Sequence, residues 1–113
     1  MIKKTTDIVQ ENFRGGEGKI TICHILQGEE LRGHATMFSK IVLPPGSSIG
    51  WHTHETNSEP FYILKGTALF KDNDGTETLV HPGDVCNIEV GQSHSIANAG
   101  DEDLEIIALV YPE

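Results

Sequence analysis

Three histidines and one glutamate carry the strongest chemical signal in the sequence. His52 and His54 are separated by one residue, Glu59 follows five residues later, and His94 lies further along the chain. Side chains at positions i and i+2 of a β-strand point to the same side, so the imidazoles of His52 and His54 can reach one point. Imidazole nitrogens together with a carboxylate are ligands that divalent transition metals accept.

Glu59 stands just before the apolar run of residues 61–64. An ionised carboxylate is costly to bury in such surroundings unless a cation or hydrogen bonds compensate its charge. A metal ion shared with the histidines would do so, and His94 could complete the set. The alternative is that His52 and His54 are polar side chains on an exposed strand edge, because an H-x-H pair alone is a weak pattern.

Glycines flank these residues at fixed spacing. The segment from Gly46 to Gly66 reads G-x5-H-x-H-x4-E-x6-G without a gap. It resembles the first motif of the cupin superfamily at every fixed position. The interval that follows, residues 67–82, is short, as in small single-domain cupins.

The second cupin motif, G-x5-P-x-G-x2-H-x3-N, has a counterpart that starts at Gly83. Gly91, His94 and Asn98 stand at its spacing, and Glu89 replaces the proline. That departure affects a turn or a strand lead-in and no metal ligand.

The resemblance implies a fold and a ligand set. The implied fold is all-β, a double-stranded β-helix or jelly-roll barrel. The ligands carried over residue by residue are His52, His54, Glu59 and His94. Such a set suits Fe, Mn, Ni, Zn or Cu, and an octahedral ion would keep two cis positions for water, substrate or O₂. Each ligand histidine should donate its second ring N–H to an outer acceptor.

Further residues are expected around the pocket or at turns. His34, Phe38, Trp51 and Phe61 are candidate lining residues, with core packing as the alternative for the aromatic ones. If Glu59 points inward, Phe61 shares its face. The motif glycines are expected at turns that require positive φ or a close chain approach.

The elements that must position these residues read as strands. Gly and Pro are spread along the chain, and the pieces between them have the length of strands. This pattern indicates a sandwich or barrel. Residues 72–75, Asp-Asn-Asp-Gly, predict a hairpin between 67–71 and 76–80. Residues 1–30 are expected to form an N-terminal arm and one strand that contact a partner in a homodimer, and residues 31–113 a single barrel.

Composition limits the partners. The 113 residues carry 17 acidic and 8 basic side chains, a net charge of −9, which disfavours nucleic acid and anionic membranes as partners. No apolar run approaches the ~20 residues that a membrane helix needs, and residues 1–7 lack the apolar region of a secretory signal. We therefore expect a cytoplasmic protein whose two cysteines are small apolar residues.

Two functional classes stay open at this point. The first is a metal-dependent enzyme, a decarboxylase, isomerase or dioxygenase that acts on a small carboxylic acid or a sugar-like substrate. The second is a non-catalytic module that binds or senses a small molecule. A structural metal site is a weaker third hypothesis. A divalent ion with Glu59 would leave a local charge of about +1, so the expected ligand is anionic or oxygen-rich.

Overall fold

Ten β-strands and two short 3-10 turns make up the chain in the computed structural model, which describes residues 1–113. The strands are β1 (Thr6–Glu11), β2 (Lys19–Leu26), β3 (Met37–Leu43), β4 (Ser48–Thr53), β5 (Asn57–Lys65), β6 (Ala68–Lys71), β7 (Glu77–Val80), β8 (Val85–Ile88), β9 (Ser93–Asn98) and β10 (Leu104–Pro112). The 3-10 turns are η1 (Phe13–Gly15) and η2 (Gly28–Leu31), and no helix is long and apolar enough to span a membrane.

The strands form two antiparallel sheets that face each other. One has six strands in the order β1-β2-β3-β10-β5-β8, and the other has four in the order β4-β9-β6-β7. The predicted all-β jelly-roll barrel is confirmed. Alternation along each strand sends every second side chain between the sheets, as β10 illustrates: Leu104, Ile106 and Ala108 are fully buried and the residues between them are half-buried.

The hairpin predicted from residues 72–75 is present. β6 pairs with β7 from Ala68 opposite Val80 to Lys71 opposite Glu77. The turn is closed by a hydrogen bond of 2.8 Å from the Gly75 N–H to the Asp72 carbonyl. The glycine prediction also holds, because all four glycines at the motif ends and turns have positive φ, namely Gly46, Gly66, Gly83 and Gly91.

Gly and Pro do not mark every strand end. β4 ends at Thr53 without either residue, and β5 runs from Asn57 through Pro60 to Lys65. Pro60 is tolerated because β10 has no pairing partner for Glu59 or Pro60, so the missing proline N–H breaks no ladder bond on that side.

The first 30 residues hold one strand more than expected. β1 pairs with β2 along its whole length, from Thr6 opposite His24 to Glu11 opposite Lys19. Both strands belong to the larger sheet of the same chain, and β1 forms its edge. The turn η1 that joins them crosses over to the smaller sheet and contacts β4.

A contact between two glycines holds η1 against β4. A β-carbon on Gly50 would lie 2.2 Å from the Arg14 carbonyl oxygen, and one on Gly16 would lie 2.1 Å from the Ser48 carbonyl oxygen. Both positions therefore require glycine, because the opposing atoms are backbone and cannot rotate away.

Gly50→Ala is expected to destabilise the fold by about 1–3 kcal/mol, the usual cost of inserting an atom where there is no space. Urea unfolding followed by circular dichroism measures the change. The matched control is Gly100→Ala, where the new β-carbon would meet nothing closer than 3.7 Å. Equal stability of the two variants would show that η1 is not locked against β4.

Candidate metal centre

The four predicted ligands come together between the two sheets. His52 lies on β4 directly opposite His94 on β9, and His54 follows the end of β4. Glu59 lies on β5 in the other sheet. Alternation explains the convergence: Thr53 is exposed between His52 and His54, both of which point inward. The cluster therefore joins the two sheets at one point.

The donor atoms are close enough to share one ion. His54 Nε2 lies 3.0 Å from His52 Nε2 and 3.2 Å from His94 Nε2. Glu59 Oε1 lies 3.1 Å from both His54 Nε2 and His94 Nε2. All the donor atoms of the four residues are within 4.8 Å of one another.

These distances fit one shared ion. Metal–nitrogen bonds of about 2.1 Å place neighbouring ligand atoms about 3.0 Å apart in an octahedral site and about 3.4 Å apart in a tetrahedral one. Four of the donor pairs lie 3.0–3.2 Å apart, and all lie within 4.8 Å. The cluster is therefore consistent with a divalent metal, including one that binds further ligands.

Hydrogen bonds fix the orientation of two of the imidazoles. His52 Nδ1 donates to the Gly50 carbonyl at 2.7 Å, and His54 Nδ1 donates to Asn57 Oδ1 at 2.5 Å. With the ring proton on Nδ1, each neutral imidazole presents an unprotonated Nε2 to the cluster. Two lone pairs 3.0 Å apart repel each other unless a cation or a proton lies between them. A neutral imidazole with its proton on Nδ1 and a free Nε2 is the form that a metal ligand needs.

His94 is held in a different way. Its ring stacks on Phe61 with centroids 4.9 Å apart and planes at 13°, and the edge of Phe70 packs against it at 5.9 Å. The side chain is completely buried, and its Nδ1 has no hydrogen-bond partner. The expectation that every ligand histidine has an outer acceptor is wrong for His94, whose ring is held by aromatic packing instead.

Burial and the neighbouring charges set the protonation states. Burial lowers the pKa of His52, while a hydrogen bond to Glu59 raises the pKa of His54. Burial by itself would raise the pKa of Glu59, but the hydrogen bonds from His54 and His94 outweigh it and lower that pKa. Glu59 is therefore an anion and His52 is neutral near pH 7, whereas His54 Nε2 carries a proton that it donates to Glu59 and that a bound metal ion would displace.

A cavity of about 280 Å³ opens onto the cluster. His52, His54 and Glu59 lie in its wall. Its apolar side is formed by Phe13, Met37, Ile41, Ile49, Phe61 and Val110, and its other polar residues are Arg14, Thr36, Thr53, Glu55 and Asn57. A small molecule in this cavity would touch three of the four donors.

Of the four predicted lining residues, only Phe61 lies in the cavity wall. Trp51 is 46% exposed, because it alternates with His52 and points out of the barrel. Phe38 alternates with the inward-facing Ser39 on β3 and lies on the outer face. His34 is exposed in the loop before β3. Because Trp51 is the neighbour of His52 on the same strand, alternation alone predicts that it points away from the cavity.

Sequence reasoning missed three contributors to the site. Asn57 and the Gly50 carbonyl orient the histidines, and Arg14 reaches the cavity from η1. Asn57 stands three residues after His54 and two before Glu59. Its position between two predicted ligands could have identified it as a site residue from the sequence. No sequence pattern near Arg14 predicts its position at the cavity. The contact that positions it is with Gly50, which lies 36 residues later in the chain.

Comparison with known proteins identifies the family. The family model described as "Cupin domain" matches residues 39–110, which include all four clustered residues. The chain belongs to the cupin family. The resemblance that both motifs carry is thereby confirmed.

A similar sequence and a similar solved structure come from Thermotoga maritima. This cupin is 42% identical over 113 residues to a protein named "Oxalate-binding protein", covering 97% of this chain and 93% of the relative. It also superposes with a TM-score of 0.92 on a crystal structure described as a predicted oxalate decarboxylase, at 41% identity, covering 96% of this chain and 94% of the other.

An uncharacterized protein of Methanocaldococcus jannaschii is 33% identical, covering 80% of this chain and 72% of the relative.

Asn57→Ala should weaken metal binding about 10- to 100-fold, because loss of an outer acceptor frees the His54 ring and removes its tautomer preference. Competition with a chromophoric chelator measures the dissociation constant. Asn87→Ala, an exposed asparagine on β8, is the control and should bind metal like the parent protein. Unchanged affinity in Asn57→Ala would contradict an orienting role.

Proposed function

We propose that His52, His54, Glu59 and His94 hold one divalent transition-metal ion, and that the adjoining cavity binds a small carboxylic acid at that ion. The observation that carries the proposal is the placement of the donors. Three of the four lie in the wall of the cavity, so a small molecule in the cavity would have access to an ion held by them. A closed structural site would have no such opening.

Charge and size support an anionic ligand. The ion and the Glu59 carboxylate together carry about +1, and most of the ion's protein contacts are neutral imidazoles. The cavity of about 280 Å³ lies at the lower end of the range for small-molecule sites. A small acid fits both conditions. The Thermotoga maritima relative at 42% identity is named for oxalate binding, which makes oxalate the first ligand to test.

We further propose that binding leads to turnover. A bound metal would act as a Lewis acid on a coordinated carboxylate. Decarboxylation also needs a proton donor, and Glu55 is the one carboxyl group in the cavity wall besides Glu59. Glu55 is exposed and therefore able to exchange protons with solvent. The alternative is a non-catalytic module that binds or senses the same ligand and would not need Glu55.

Oxalate is expected to bind the metal-loaded protein and to bind His94→Ala at least about 100-fold more weakly, because metal coordination of a carboxylate contributes several kcal/mol. Calorimetric titration with Mn²⁺-, Fe²⁺-, Ni²⁺-, Zn²⁺- or Cu²⁺-loaded protein measures binding, and elemental analysis after purification identifies the metal. His81→Ala is the control, because His81 is exposed in the turn before Pro82.

Turnover is read in the same samples by NMR of ¹³C-labelled oxalate. Formate and carbon dioxide that disappear with Glu55→Gln support the enzyme, whereas tight binding without product supports the binding module. Metal in the preparation with no affinity for oxalate, sugar acids or other small carboxylates would contradict the proposed function.

We also propose that the chain forms a homodimer through β1. This strand is the edge of the larger sheet and pairs with β2 alone, so its other edge carries free backbone N–H and C=O groups. Ile8 and Val9 on β1 are exposed apolar side chains. Edges of this kind are natural templates for pairing with another strand.

Light scattering is expected to give twice the mass of one chain. Val9→Lys should shift the equilibrium toward the monomer, because a lysine on an edge strand opposes pairing. Thr78→Lys on β7, an edge strand of the other sheet, is the control. A monomer at micromolar concentration would show that β1 is not a dimer contact.

A further inference from the structure

Arg14 is the only lysine or arginine in the cavity wall. It belongs to η1, which lies against β4 at the side of the metal cluster. Three of the four clustered residues line the same cavity, namely His52, His54 and Glu59. Arg14 therefore lies beside the cluster without belonging to it.

The backbone that carries Arg14 has an uncommon conformation. Asn12 and Arg14 have φ of 53° and 55°, in the left-handed region that residues other than glycine rarely adopt. The segment is held by a hydrogen bond of 3.0 Å from Asn12 Nδ2 to the Gly16 carbonyl and by the close contact of Gly16 with β4. The rest of the fold therefore maintains a strained conformation that places Arg14 at the cavity.

The guanidinium of Arg14 has no acidic partner. The ion pairs of Lys and Arg side chains in this chain are Lys3 with Glu30 and Lys40 with Glu105. Arg14 lies over the Phe13 ring, with its guanidinium carbon 5.7 Å from the ring centroid, and its side chain makes no hydrogen bond within the protein. Because Arg14 is exposed, its N–H groups face solvent and no protein acceptor competes with a ligand for them.

We propose that Arg14 binds the carboxylate oxygens of the ligand that do not reach the metal, and so makes the cavity selective for dicarboxylates over monocarboxylates. This inference rests on the proposed function. The charges support it: the ion with Glu59 carries about +1, Arg14 adds +1, and a dicarboxylate with charge −2 neutralises both. A monocarboxylate would leave the guanidinium without a counter-charge.

The geometry of arginine suits this role better than that of lysine. The guanidinium is planar, and its paired N–H groups match the two oxygens of a carboxylate. An ammonium group would contribute charge without the paired hydrogen bonds. Arg14→Lys is therefore expected to keep part of the selectivity, and Arg14→Gln to lose it.

The test compares oxalate with oxamate, in which an uncharged amide replaces one carboxylate. Arg14→Gln should weaken oxalate binding about 10- to 100-fold in the metal-loaded protein, the usual range for losing a charge-assisted hydrogen bond. Oxamate binding should change less than about threefold. Calorimetric titration gives both constants, and elemental analysis should show the same metal content as in the parent protein.

Arg32→Gln is the matched control. Arg32 has the same φ of 55°, is also exposed, and lies outside the cavity, so the substitution changes the net charge and the backbone context equally. Arg14→Gln binding oxalate as the parent does, or losing oxalate and oxamate to the same extent, overturns this inference and leaves the proposed function intact. A parent protein that binds neither ligand overturns both.

Discussion

Imidazole lone pairs repel one another, yet this structure gathers three imidazoles and a carboxylate oxygen into one cluster. Four pairs of their donor atoms lie only 3.0–3.2 Å apart. Two sheets have to meet to do this, since the histidines come from the β4–β9 side and Glu59 from β5. A central cation converts the repulsion into attraction. The pairing of the strands, the packing of Phe61 on His94 and the outer hydrogen bonds can all be understood as the framework that holds the donors at this distance.

Much of the site follows from short-range rules. Alternation along a strand places His52 and His54 on one side, and it places Glu59 and Phe61 together inside while Tyr62 points outward. Turn residues and strand-sized intervals are also local patterns, and they indicate a sandwich or barrel. The jelly roll itself was implied by the resemblance to cupins. Motif spacing adds His94, which local rules alone could not connect with the other three.

The parts that could not be predicted depend on contacts between distant segments. The position of Arg14 is set by two glycines that allow η1 to touch β4. Pro60 inside β5 is tolerated only because its neighbour β10 leaves that position unpaired. The ring of His94 packs against Phe61 and Phe70 on other strands and has no outer hydrogen bond, which no local pattern predicts. Each of these outcomes is decided by which strands become neighbours, and the sequence pattern does not state that directly.

The contact between Gly16 and Gly50 separates two properties of the molecule. Close backbone contacts at these glycines and the packing of Phe13 on the core hold η1 to the barrel, so the side chain at position 14 takes no part in that attachment. His52, His54, Glu59 and His94 lie outside η1. Under the role proposed for Arg14, an exchange of this one residue would alter the preferred ligand while the barrel and the four-residue cluster stay as they are. Such an arrangement would make a small barrel easy to diversify, because a change in ligand preference would carry little risk for folding.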